Sequence, residues 1–168
     1  MRYTFTDIAV LATAVFTAFS ALGALLAARA TKRAAEAQVL LNLLNDYAAP
    51  DMANALRVLI AWQHQHEDRF INEWWSGLKA RDPRAQEVDR ARRRVTSYFQ
   101  NVEELHQAGL ISRRTLRHAG GKSGLAVLVV VAQELERRLN PKVDLGFVRR
   151  LQKLCPEQVW IHTRIPPE

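Results

Sequence analysis

Several short stretches of the chain carry residue types that can do chemistry. Gly121-Lys122-Ser123 has the ending of a phosphate-cradling loop, in which backbone N–H groups wrap a phosphate and the lysine meets its charge. His64-Gln65-His66-Glu67-Asp68 gathers side chains that ligate metals. Three groups of cations suit an anionic partner: Arg90 with Arg92, Arg93 and Arg94; Arg113 with Arg114 and Arg117; Arg149 with Arg150 and Lys153. Cys155 is the only thiol in the chain.

Spacing argues against the first two. A P-loop needs a glycine five residues before the Gly-Lys pair, and that position is Leu116. The segment before it also reads as helix rather than strand, so a plain helix break is the better reading of the glycines. On a helix, His64 and His66 point apart. His64 can share a face with Glu67 or Asp68, yet no third and fourth ligand follows, and a solvated polar helix end accounts for the cluster. A single cysteine excludes an intrachain disulfide and a cysteine-based zinc site. No Ser/His/Asp or Cys/His arrangement is present, and Glu103-Glu104 is an acidic step beside an apolar seam, of which Glu104 can bond inside the fold. The sequence therefore predicts no enzyme, no cofactor and no metal.

What remains is charge and the helices that carry it. The formal net charge of the 168 residues is +7, and it is uneven. Residues 34–78 balance to −4, whereas residues 79–153 hold seventeen Lys or Arg against eight acids, a balance of +9. Two such halves can attract each other within one fold, or the basic half can face an acidic partner. Contact residues are expected among Arg90, Arg93, Arg94, Arg113, Arg114 and Arg117, together with any exposed part of Trp74 and Trp75, whose alternative is core packing. Nucleic acid is disfavoured because no aromatic platform interleaves with the arginines and no helix-turn-helix reader is recognisable.

The positioning elements read as helices throughout. Val88, Ala91, Val95, Tyr98, Val102 and Leu105 step by three and four and form an apolar seam, with Asp82-Pro83 as its start signal and Gly109 as its stop. Asp51 is placed to cap a helix after Pro50, Ser112 one over RRTLRH, and Asp144 a last one with Phe147, Val148 and Leu151. LAVLVVVAQELERRL is ambiguous, its three valines suiting a strand and its leucines keeping helical spacing. With no second strand to pair it, a helix buried nearly all round is expected. Trp160 and Ile161 in the tail are expected to fold back on the core.

The N-terminal stretch decides the setting. Ile8 to Ala28 carries no charge. As a helix this run is ~31 Å long, close to the ~30 Å hydrocarbon core of a bilayer. A signal peptide would show a basic leader and a shorter apolar centre, whereas MRYTFTD is nearly neutral and the helical pattern continues to Pro50. A buried soluble helix is the remaining alternative. Arg29, Lys32 and Arg33 follow the run, so the positive-inside bias places the carboxyl side in the cytoplasm and the N-terminus outside. Ala9, Thr13, Thr17 and Ala21 form a small-residue row through which two spans could pair as a homodimer.

The segment VTSYFQNVEELHQAGLISRRTL, followed by an apolar helix ending QELERRL, resembles an uncharacterised bacterial family of single-span membrane-anchored small helical proteins. The residues that match its most typical piece are Tyr98, Phe99, Glu103, Gly109, Leu110 and Ile111. The resemblance implies a bacterial inner-membrane address and a helical layout, with no activity attached. The expected architecture is all-α: a short external N-terminus (1–7), a transmembrane helix (8–29), a small cytosolic antiparallel helical bundle (30–154) and a tail (155–168). The expected role is a membrane-anchored interaction module with an unknown protein partner; the alternative is an electrostatic binder of anionic lipid or nucleic acid.

Overall fold

The computed structural model describes the backbone of residues 5–119 and 121–155, and side chains from 13 onward except 14, 15 and 122. The fold is all-helical, and no strand occurs among the described residues. Two compact units divide between Gln38 and Val39. The first helix, α1 (Phe5–Ala48), belongs to both.

In the first unit, the described side chains of α1 are exposed almost without exception. Phe16 is 75% and Phe19 70% exposed, and Leu22, Leu25 and Leu26 are about half exposed. Among the described residues no helix is long and apolar enough to cross a membrane. The expected span 8–29 includes 8–12, 14 and 15, whose side chains lie outside the described set.

The second unit is built around a central helix, and its sequence signals explain most boundaries. Ala49 adopts an extended conformation before Pro50, as a residue preceding proline must, and Pro50 opens α2 (Pro50–His66) at its first position. Asp51 was expected to cap this helix. It lies inside the first turn instead, and Ala49 at the cap position makes no side-chain cap bond. A 3-10 turn, Glu67–Arg69, leads into α3 (Phe70–Lys79), and the Trp62 indole N–H donates to the Phe70 carbonyl at 3.0 Å across that corner.

Asp82 serves two helices at once. Its backbone N–H donates to the Gly77 carbonyl and that of Arg81 to the Leu78 carbonyl, which closes α3 with Arg81 in the left-handed region at φ 58°. Its carboxylate accepts from the N–H groups of Arg84 and Ala85, capping α4 (Pro83–Gln107). α4 ends in a Schellman motif: Gly109, at φ 71°, donates to His106, and Leu110 donates to Leu105.

Ser112 caps α5 (Arg113–Ala119) by accepting from the Thr115 N–H. The valine run is helical. It comprises α6 (Lys122–Val127), a π-helical turn (Leu128–Ala132) and α7 (Gln133–Leu139), with the Gln133 N–H reaching back five residues to the Leu128 carbonyl. Side-chain burial explains why no strand forms: Leu125, Leu128, Val131, Ala132 and Leu135 fill one helical face against the core. α8 (Gly146–Leu154) starts after Leu145, with Asp144 accepting from the Gly146 N–H one position earlier than a standard cap. The expected fold-back of Trp160 and Ile161 lies outside the described residues.

The expected seam of α4 is the core. Val88, Ala91, Val95, Tyr98 and Val102 are buried, and they meet Met52 and Leu59 of α2, Trp74 of α3, Leu128 and Leu135, and Val148 and Leu151 of α8. Each such large side chain contributes about 1.5–3 kcal/mol on burial. Gly77 is needed where α3 meets α4, because a Cβ there would lie 2.7 Å from the Ala85 Cβ.

Candidate interaction surfaces

The first arginine group is committed to the fold. Arg92 is 3% exposed. Its Nη2 donates to Asp89 at 2.8 Å, it pairs with Glu136 of α7, and its guanidinium lies over the Trp74 ring at 5.9 Å. Arg93 pairs with the other oxygen of Asp89. Burial works against the charge on Asp89, but the hydrogen bonds from Arg92 and Arg93 outweigh it and hold the carboxyl below the usual carboxylate range.

Arg94 clamps two elements. It donates to Asp46 near the end of α1 at 2.5 Å and to Asp51 of α2 at 2.7 Å, so its carboxylates come from the acidic half of the sequence. The hydrogen bond from Arg94 also lowers the Asp51 pKa. Arg94 therefore joins the basic half to the acidic half within the unit, while Arg92 and Arg93 find carboxylates in their own half. Of this group, Arg90 is exposed, and Arg93 keeps 69% of its side chain exposed while paired.

The tryptophans divide. Trp74 is fully buried and offers no surface to a partner, which corrects its place among the contact residues: it sits at the α3–α4 contact beneath Arg92. Trp75 is half-buried, with Lys79 at 5.1 Å and Arg138 at 5.7 Å from its ring centre. Both are cation–π distances.

Two details were not foreseen. Glu103, not Glu104, is the inward carboxylate. It is 2% exposed and accepts from Arg150 of α8 at 2.5 Å and from Gln107, while Glu104 is exposed and accepts from Gln100. The available signal was its place four residues after Phe99, on the face that turns inward. The second detail concerns the glycines that resemble a phosphate loop. They form a seat for Tyr47: a Cβ on Gly121 would lie 2.5 Å from that ring, and one on Gly124 would lie 2.6 Å from its hydroxyl. Tyr47 in turn stacks at 5.6 Å on Tyr98, whose hydroxyl donates to the Ala119 carbonyl at 2.6 Å.

The histidines also have a structural setting. His66 packs on Trp62 at 4.2 Å, and His64 lines an open groove of about 350 Å³ together with Ile60 of α2, Val127 of α6 and Val130 of the π-helical turn. Among the described residues no group of His, Cys, Asp or Glu is arranged to hold a metal. Cys155 is buried, and burial raises its thiol pKa against the opposing pull of Arg117 and Arg113.

The second and third arginine groups differ from the first. Arg113, Arg114 and Arg117 on α5 are exposed, as are Arg149 and Lys153 on α8. The two helices meet where Arg117 Nε donates to the Leu154 carbonyl at 3.4 Å. No family model, curated protein or solved structure matches the chain.

Proposed function

We propose that the chain is a membrane-anchored helical interaction module, crossing the bilayer once through residues 8–29. The N-terminus is outside and the helical unit beginning at Val39 is cytoplasmic. The observation that carries this reading is the apolar surface of α1: Phe16, Phe19, Leu22, Leu25 and Leu26 stand exposed in a run free of charge from Ile8 to Ala28. Solvated in water, such a surface is costly; in lipid each of these side chains favours insertion by a few tenths of a kcal/mol. Thr17 donates its hydroxyl to the Thr13 carbonyl at 2.8 Å, so its polar group is satisfied within the helix, as a hydrocarbon setting requires. Arg29, Lys32 and Arg33 at the carboxyl end support the orientation.

The full-length protein is expected to stay with membranes through alkaline carbonate washing. Protease outside intact cells stripped of their wall is expected to leave the helical unit whole, and to digest it only after rupture. Release by carbonate, or a secreted chain lacking its first residues, overturns the reading.

A second reading, electrostatic binding of anionic lipid or nucleic acid through the arginine-rich half, finds support on α5 and α8 rather than α4. The guanidinium groups of Arg92, Arg93 and Arg94 already hold carboxylates of the chain.

A further inference from the structure

We propose that Leu110, α5 and the carboxyl end of α8 form a contact surface for anionic lipid headgroups, an inference that deepens the membrane reading above. From Leu105 to Gln133 the sequence contains no Asp or Glu, and neither does the segment from Leu145 to Pro156. Both α5 and α8 lie in these acid-free stretches, and the 3.4 Å bond from Arg117 to the Leu154 carbonyl joins them. Arg113, Arg114, Arg117 and Lys153 are exposed cations on these two joined helices.

The arrangement opposes the stability of its own helix. On α5, Arg113 and Arg117 stand four residues apart, and like charges at this spacing repel. Arg92, Arg93 and Arg94 of the same unit hold carboxylates of the chain, whereas α5 carries no acid of its own to offset this repulsion. An external layer of phosphates relieves that repulsion.

Leu110 selects a bilayer over other polyanions. It is 53% exposed at the turn before α5, held there by the Schellman geometry of Gly109. An apolar tip three residues before the first arginine of α5 matches an interface that is anionic at its surface and apolar just beneath. No Phe, Tyr or Trp lies on α5 or in the turn to form the stacking platform that nucleic acid would use.

The test uses the full chain in vesicles of phosphatidylcholine alone or with one third phosphatidylglycerol. Leu110→Cys carries an environment-sensitive fluorophore, with labelled wild type as the control for Cys155. The expected result is a blue shift only in the anionic vesicles, reversed by high salt. The phosphatidylglycerol affinity should fall about 20-fold in R113Q/R114Q and be retained in R113K/R114K. Co-flotation with neutral vesicles reports the anchor separately. If the chain floats but the probe gives the same signal in both lipids, the surface proposal is overturned and the anchor stands. If the chain does not float with neutral vesicles, the anchor reading fails, and a salt-sensitive shift with anionic vesicles alone still supports the surface. A probe that responds to a short oligonucleotide but not to anionic vesicles overturns it in favour of nucleic acid.

Discussion

Tyr47 lies directly against the bare Cα of Gly124, with the ring of one helix occupying the space that a side chain on the other would need. A Cβ at 2.6 Å from the Tyr47 hydroxyl forces the ring to move, and with it the stack on Tyr98. Gly124→Ala is therefore expected to destabilise the unit by about 1–3 kcal/mol, the usual cost of overpacking. Denaturation of the full chain in mild detergent measures it. Combining Gly124→Ala with Tyr47→Ala should cost less than the sum of the two, because the clash is then gone; strict additivity would show that the contact is not what disfavours a side chain there.

The buried carboxylate of Asp89 gives the unit a pH dependence. Its folded pKa is depressed, so its stabilising contribution is present above the unfolded value near 4 and is lost as pH falls through the folded value. Asp89→Asn is expected to cost about 2–3 kcal/mol at pH 7, less than a lone buried pair would, because Glu136 still faces Arg92. The melting curves of variant and wild type should converge as pH drops below about 4. A deficit that stays constant down to pH 2 would contradict this account.

Arg81 occupies a left-handed position that glycine fills more easily. Its backbone N–H closes α3, and its carbonyl accepts from the Gln86 side-chain amide, two contacts that glycine keeps. Arg81→Gly is expected to raise stability by about 0.5–1 kcal/mol, the relief of backbone strain exceeding the added freedom of the unfolded chain. A measured loss would mean that the arginine side chain contributes a contact of its own.

The anchor reading makes a quantitative claim on α1. Phe19 lies near the middle of the uncharged run and is 70% exposed. Phe19→Arg at a bilayer centre costs about 2.5–3.5 kcal/mol, enough to move much of the chain out of the carbonate-resistant fraction. An unchanged distribution would remove membrane insertion through this segment.

Helix positions were largely legible because their punctuation is local. Asp82-Pro83, Gly109 and Ser112 each act within a turn of the residues they stop or start, and the α4 seam needs only periodicity. The valine run was settled by burial, which depends on what the rest of the chain places around it. Asp51 misled because its carboxylate has a stronger customer forty-three residues away: Arg94 takes it at 2.7 Å. The candidate surface was legible only in part for the same reason. Arg90, Arg92, Arg93 and Arg94 look alike in sequence, yet Asp46, Asp51 and Glu136 arrive from other helices to claim Arg94 and Arg92, and Asp89 of the same helix holds Arg93. Trp74 and Trp75 are neighbours whose fates differ by the 100° between adjacent helical positions.

The π-helical turn at Leu128–Ala132 makes the length of one rod negotiable. A ladder that already spans five residues can surrender one and close to the ordinary four, so a chain lacking any single valine of Val129 to Val131 has a route to the same packing of Leu135. The corner at Asp82 has no such slack, since one residue there terminates one helix and begins the next. Insertions and deletions accumulated by descendants of this sequence should accordingly be found in the first place and not in the second.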